Sequence, residues 1–299
     1  MKKNYSQIYF QFPINGSREL HKWLDAFNPI LQLEVANTLE VLHHTDWSDQ
    51  EDILVYLHNT YMYRFTLPVL EAACGREKLL KKPQLVQFQL LSCLFGRFLD
   101  DLIDRDSGFW EPEQALFWYS HFFMRCMRIK NSLHMKKDFD DAWGQSIYDA
   151  MTVDQQLYQT EKSGRIILKS EFCPMPVQRY SERVPYFFCL PLELCKDVKS
   201  LEWIQSYINA LFFLYDIDDS INDIMRNVAT EPAYMILAEG LDNEGRFKMG
   251  RVERGNVYQK LRGRAKDLLI TCRNNGRSMN LELGPAMIDA ALHDFGIEG

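Results

Sequence analysis

Nowhere does this chain reach the roughly 18 to 20 consecutive apolar residues that a membrane span requires. Its start, Met1-Lys-Lys-Asn-Tyr-Ser-Gln-Ile-Tyr-Phe10, lacks the continuous apolar stretch of a secretory signal. No CxxC pair occurs among the seven cysteines, which are scattered and odd in number. They read as reduced core residues, which argues against a structural zinc and, with the missing signal, gives the expectation of a cytoplasmic protein. Excess positive charge is absent as well. A net charge of −7 and the lack of a basic-aromatic module argue against a nucleic-acid partner. Strand signals are sparse, with few β-branched clusters and no Asn-Gly turn joining two alternating runs. Internal repeats, low-complexity runs and an interdomain linker are missing too.

What the chain does have is helical periodicity over a large apolar fraction, 46% against 25% charged residues, enough to bury a sizeable core. Leu85, Phe88, Leu91, Leu94, Phe95, Phe98 and Leu102 recur at three- and four-residue spacing and predict a helix over Leu85–Leu102. A second such stripe runs over Leu201–Ile224. Further helices are predicted over Leu31–Leu42, Ile53–Glu71, Glu113–Ile129, Asp138–Thr160 and Tyr258–Cys272. Pro83, Pro112, Pro174, Pro176, Pro185, Pro191 and Pro232 mark starts, breaks or kinks between or within these stretches. The expected architecture is one all-α domain of about ten helices covering 1–299, with the tail from Asn274 to Gly299 unassigned.

Each of the two strongest helices ends in acid. Asp100-Asp101-Leu-Ile-Asp104 closes the first; Asp216-Ile-Asp218-Asp219-Ser-Ile-Asn222-Asp223 closes the second, about 115 residues later. Aspartate is a poor helix former and is costly to bury unpaired, so such clusters call for a partner. Asp100 and Asp104 lie one turn apart and project the same way, with Asp101 turned away by about 100°. Their mutual repulsion is relieved by solvent, which would make a plain helix C-terminus, or by a cation. Mg²⁺ typically takes one or two carboxylates and leaves its other positions to water and phosphate. On the second helix Asp219, Asp223 and Asn227 form a single stripe that Asp216 joins one turn earlier. An alternative register pairs Asp218 with Asn222 and then meets Arg226, a cation that suits phosphate instead of metal. Two cation-binding helix ends facing one another are a known need of diphosphate chemistry.

Phe98-Leu-Asp-Asp-Leu-Ile-Asp104 together with Ala210–Asn227 resembles the paired metal motifs of the class I terpenoid synthase superfamily, above all the bacterial-type terpene cyclases and more distantly the trans-prenyltransferases. The resemblance implies a bundle of about ten to twelve helices around an apolar cavity. It also implies three Mg²⁺ ions that hold the diphosphate of a prenyl diphosphate substrate, and homodimers are common in the superfamily. By this likeness Asp100, Asp104, Asp219, Asp223 and Asn227 are the metal ligands, and Asp101 orients an arginine. Departures are clear. Cyclases carry Asn-Asp-x-x-Ser-x-x-x-Glu on the second helix, whereas Asn222-Asp-Ile-Met-Arg226-Asn-Val-Ala-Thr230 has Arg and Thr at the last two ligand positions. The paired arginines that follow the first motif in prenyltransferases are missing from Asp104-Arg-Asp-Ser-Gly-Phe-Trp110, which favours a cyclase. The Arg-Tyr pair found near the C-terminus of bacterial cyclases is missing as well.

Diphosphate needs more counter-charge than metal alone supplies. Arg183, 39 to 40 residues before the second motif, resembles the diphosphate-sensing arginine of bacterial cyclases. Arg226 and the three-residue series Lys248, Arg251 and Arg254 are further candidates, and the series would equally make a solvated basic face. A carbocation needs a dry cavity with aromatic faces, for which Phe65, Phe95, Phe98, Trp118, Phe188, Phe212 and Tyr215 are the candidates, each of them also plausible plain core. The expected activity is Mg²⁺-dependent ionisation of a prenyl diphosphate followed by cyclisation or deprotonation. The rivals are chain elongation with isopentenyl diphosphate and a helical relative without activity. A di-iron bundle would need two Glu-x-x-His pairs, and only Glu40-Val-Leu-His43 fits.

Overall fold

The computed structural model describes residues 18–104, 110–133, 135, 137–162, 186–195, 197–219 and 251–296. Among these, every regular element is helical and no strand occurs. In chain order they are α1 (Arg18–Asp25), α2 (Asn28–Leu42), α3 (Glu51–Thr60), a π-helical segment (Tyr61–Thr66), α4 (Leu67–Cys74) and α5 (Arg76–Lys81). There follow α6 (Pro83–Asp104), α7 (Pro112–Ser132), α8 (Lys137–Lys162), α9 (Tyr186–Leu194), α10 (Val198–Asp219), α11 (Arg251–Ser278) and α12 (Leu283–Asp294). No described helix is long and apolar enough to cross a membrane. None of the six described cysteines is in a disulfide.

α6 is the spine of the fold. Periodicity predicts one apolar stripe along it, yet every residue from Leu85 to Leu99 is buried except Gln87 and Arg97. A helix apolar on all sides belongs inside, and burying Phe88, Phe95 and Phe98 contributes about 1.5–3 kcal/mol apiece. α7 packs along α6 through Phe98 and Phe122, whose rings stack at 5.6 Å, and α8 closes the same side with Trp143 against Phe95 and Phe123. Both long helices start as their prolines predict. Pro83 opens α6. Pro112 opens α7 behind Glu111, whose backbone N–H donates to Gln114 Oε1 at 3.0 Å in a capping box.

α3, the π segment and α4 run on as one helical rod over Glu51–Cys74, against the plain α-helix predicted for Ile53–Glu71. Pro68 is a visible cause of the irregularity. It has no N–H to give the Arg64 carbonyl four residues earlier. The buried Tyr207 hydroxyl of α10 donates to that oxygen instead, at 2.7 Å. Pro191 inside α9 does the same to Phe187, and there Gln89 Nε2 of α6 donates to the freed carbonyl at 2.9 Å. Each proline thus opens a carbonyl that a side chain from a neighbouring helix fills, which fixes α10 and α9 against the centre.

The unassigned tail is helical. α11 runs to Ser278 and is stopped by Asn280 at φ 60°, with Leu281 N–H returning to the Gly276 carbonyl at 3.0 Å. α12 then begins against Glu71, a buried carboxylate of α4 that accepts the Leu283 N–H at 3.0 Å and Arg76 Nε at 2.7 Å. Gly276 and Gly284 let α11 and α12 close around Trp203: a Cβ on Gly284 would lie 2.3 Å from the indole.

Candidate functional site

The acidic end of α6 sits where its burial stops. Asp101 is turned inward, with its side chain 3% exposed, while Asp100 is 31% exposed and Arg97 35%. The three share a helix face at i, i+3 and i+4. Arg97 Nη2 donates to Asp101 Oδ1 at 2.6 Å, and Nη1 donates to Asp100 Oδ2 at 3.3 Å. Burial lifts the Asp101 carboxyl to about 6; Arg97 opposes this rise and Asp100 adds to it. The second oxygen of Asp101, Oδ2, is buried with no hydrogen-bond partner among the described residues.

From that end a row of rings leads to the acidic end of α10. Tyr61, in the π segment, lies within the field of Arg97, Asp100 and Asp101, although burial is what chiefly raises its pKa and keeps the phenol neutral. Its ring is 5.4 Å from Phe65 and 6.4 Å from Phe187. Phe65 in turn stands 5.5 Å from Phe212 and 6.2 Å from Tyr215 of α10. Tyr215 is followed directly by Asp216, the first acid of the second cluster, and α10 reaches Asp219. Rings from the π segment, α9 and α10 thus form one aromatic group beside the Arg97, Asp100 and Asp101 end of α6.

A buried cation supports the far end of this row. Arg64 is 3% exposed and donates to both Tyr215 Oη and Asp294 Oδ2. Burial disfavours its charge, but Tyr215 and Asp294 outweigh that and raise its pKa above the ordinary value. Burial raises the Tyr215 pKa in turn, with Arg64 opposing, so the phenol stays neutral. Phe295 packs edge-on against Tyr215 at 5.3 Å, and Arg262 of α11 holds the Phe295 carbonyl.

The expected site residues divide accordingly. Phe65, Phe212 and Tyr215 come together, Tyr61, Arg64 and Phe187 join them, and Arg97 lies within electrostatic reach of Tyr61. Phe188 is buried in α9. Phe95 packs instead on Tyr119, Phe123 and Trp143, and Phe98 on Trp110, Trp118 and Phe122, in the aromatic layer between α6, α7 and α8. Asp104 and Asp219 end their helices, and Arg251 and Arg254 open α11. Arg183, Asp223, Arg226, Asn227 and Lys248 lie outside the described residues. Sequence reasoning missed Arg97 and Arg64; the signals were a cation at i−4 from Asp101 and one charge inside the apolar run Tyr61-Met-Tyr-Arg-Phe-Thr-Leu67.

The half-open carboxylate of Asp100 suits a hard divalent cation, whereas Asp101 is buried, held by Arg97, and keeps one oxygen that nothing described satisfies. Among the described residues no three His, Cys, Asp or Glu side chains form a metal cluster by themselves. Two open clefts lie elsewhere. One, of about 500 Å³, is lined by Glu71, Arg76 and Glu282, and Glu71 is already spent on the start of α12. The other, of about 700 Å³ between α2 and α7, is lined by His121, Arg125 and Arg128, and Arg125 is paired at 2.5 Å with the buried Glu34. The second also has Glu40 and Phe117 in its wall, but its lining carries more basic than acidic side chains. No family model, no curated protein and no solved structure matches the chain.

Proposed function

We propose that this chain is a Mg²⁺-dependent class I terpene synthase, which ionises a prenyl diphosphate, cyclises or deprotonates the resulting carbocation, and releases diphosphate. What supports this reading is the aromatic group Tyr61, Phe65, Phe187, Phe212 and Tyr215, which lies beside the Arg97, Asp100 and Asp101 end of α6 and contains Tyr215, the residue before Asp216 in the sequence of α10. Carboxylates next to aromatic faces match a substrate that is anionic at one end and a hydrocarbon over the rest.

In this reading Asp100, Asp104, Asp219, Asp223 and Asn227 hold Mg²⁺. When bound, the metal neutralises charge as the diphosphate departs. Arg183 and one of Lys248, Arg251 and Arg254 add donors to the phosphate oxygens, with Arg226 a further candidate. The rings of Phe65, Phe187 and Phe212 exclude water and turn π faces to the cation. Arg64, by holding the Tyr215 oxygen, fixes that ring against Phe65 and keeps a neutral phenol beside the reacting chain. Asp101 acts through Arg97.

The test is incubation of purified protein with C10, C15, C20 and C25 prenyl diphosphates, with and without Mg²⁺ and isopentenyl diphosphate, products being read by gas chromatography and mass spectrometry. A Mg²⁺-dependent hydrocarbon or alcohol from one allylic substrate alone is expected. Product formed only with isopentenyl diphosphate makes the chain a prenyltransferase. No product from folded protein under any condition removes the proposal.

A further inference from the structure

The cleft of about 700 Å³ between α2 and α7 shares no residue with the acids or the aromatic group of the proposed active site. Its charged and polar wall includes Asn37 and Glu40 of α2 with His121, Arg125 and Arg128 of α7. The three α7 residues stand at i, i+4 and i+7, which puts them on one face of that helix. Burial lowers the Arg125 pKa, with Glu34 opposing and Arg128 adding to the fall. Burial likewise holds the His121 ring at about 4, with Arg125 and Arg128 adding, so the ring is neutral. Acid answers only part of this. The buried Glu34 of α2 pairs with Arg125 Nη2 at 2.5 Å, and Gln87 donates to the other Glu34 oxygen. Counting Glu34, two carboxylates face two arginines, so local pairing and not net charge marks the cleft. Glu40 and Arg128 are both exposed, and neither forms an ion pair with a described residue. Arg125 Nη1 and His121 Nε2 are buried without a hydrogen-bond partner among the described residues. A donor left so costs stability that a ligand oxygen restores once the side chain turns to the cleft, and both side chains are only partly buried. The remaining wall, Val41, Phe117, Met124 and Ile129, is apolar, and Met124 is half exposed. A bare ion would leave that surface wet, whereas a ligand with an apolar body covers it.

We infer that this cleft binds a small organic oxyanion, a carboxylate or phosphate monoester joined to an apolar or aromatic group, with its head on Arg128 and Arg125 and its body over Phe117, Val41 and Met124. Asn37 adds an amide donor from the facing helix, so a bound ligand ties α2 to α7. Glu40, in the same wall, works against a second anionic group on the ligand. The site stands independently of the prenyl diphosphate reading.

The experiment is isothermal titration calorimetry of the full-length protein at neutral pH with phenyl phosphate and hydrocinnamate, against inorganic phosphate, acetate and phenethylammonium. One saturable site is expected for at least one of the two aryl oxyanions, and the tighter of them names the head group. That probe is expected to bind at least about tenfold more tightly than its bare head, the gain from covering a ring, and phenethylammonium not at all. Arg128→Gln, at an exposed position, is expected to weaken the probe at least about tenfold, the loss of one hydrogen bond between charged groups. Arg264→Gln, equally exposed on α11, and Asp100→Ala are expected to bind it as wild type does. Bound probe is also expected to raise the His121 pKa by about one unit or more, since an anion beside the ring favours its charged form. Proton NMR of the ring, assigned with His121→Gln, reads that shift. No saturable binding of either aryl oxyanion up to about 10 mM overturns the inference. So does equal binding by wild type and Arg128→Gln, or equal loss in Arg128→Gln and Arg264→Gln. Loss in Asp100→Ala puts the probe at the acids of α6 and overturns it too, and bare phosphate or acetate binding as tightly as its aryl counterpart leaves an adventitious ion only.

Discussion

Replacing Tyr207 by Phe removes one hydroxyl from a fully buried site and nothing else. That hydroxyl is the donor to the Arg64 carbonyl, the oxygen that Pro68 cannot satisfy. Leaving a buried carbonyl without its donor costs about 1–3 kcal/mol, whereas losing a hydrogen bond whose partner finds another costs about 1 kcal/mol or less. Pro68→Ala restores a main-chain N–H four residues after Arg64 and so provides that other donor. In the double-mutant cycle Tyr207→Phe is therefore expected to cost about 2 kcal/mol in the wild-type background and about 1 kcal/mol less in the Pro68→Ala background. The assay is urea unfolding followed by circular dichroism at 222 nm, with the slope checked for constancy across the four proteins. Two single effects that simply add, within about 0.5 kcal/mol, would refute the claim that Tyr207 stands in for the missing N–H of Pro68. The result bears on the site as well, because the same turn presents Phe65 to Phe212 and Arg64 to Tyr215.

Gly284→Ala forces a methyl into the Trp203 indole and is expected to cost about 1–3 kcal/mol, whereas Gly144→Ala, where the new Cβ meets nothing within 4 Å, is expected to be neutral or slightly stabilising in the same unfolding assay. Asp294→Asn removes the carboxylate from the buried Arg64; because Asp294 is partly exposed, about 1–3 kcal/mol is expected instead of the 3–5 kcal/mol of a fully buried pair, and a loss below about 0.5 kcal/mol would contradict the role given to that contact. His58 is held at about 4 by burial, against an ordinary 6.5, with its Nδ1–H on the Leu54 carbonyl at 2.7 Å. Its pKa is depressed on folding, so its contribution, about 3 kcal/mol, is present above pH 6.5 and lost as the pH falls towards 4. Proton uptake on unfolding near pH 5 should accordingly drop by about one in His58→Gln. Asp101, raised from 3.8 to about 6 by burial, tilts the same window the other way: its contribution is present at low pH and lost as the pH rises through 6, so Asp101→Asn should steepen the acid loss that His58 causes.

The helices were legible because their causes are local. The stripe from Leu85 to Leu102 and the prolines at positions 83 and 112 are enough to begin and place α6 and α7. The π segment was not legible, because Pro68 sits in an apolar run that reads as helix, and its remedy, Tyr207, lies 139 positions later. The tail after Asn274 was ambiguous because its stop signal is a left-handed Asn280 and its start signal is Glu71, a residue of α4. The aromatic candidates show the same limit. Phe95, Phe98 and Phe65 look alike in sequence, but α6 is buried on nearly every side, so spacing along it could not tell an interhelical core ring from one bordering the acids. Arg97 was missed although a charged partner one turn from Asp100 and Asp101 is short-range information, because cations were sought beyond the helix that carries the acids.

The most direct measurement is the rate of diphosphate release from an allylic prenyl diphosphate in Mg²⁺, for wild type, Asp100→Ala, Asp223→Ala and, as a control at an exposed position of α8, Asp149→Ala. Losses of about a hundredfold or more are expected for each of the first two variants, with Asp149→Ala close to wild type. Full release by Asp100→Ala and Asp223→Ala, or release that continues unchanged when Mg²⁺ is chelated, would contradict the proposal that the two acidic helix ends act together on one diphosphate.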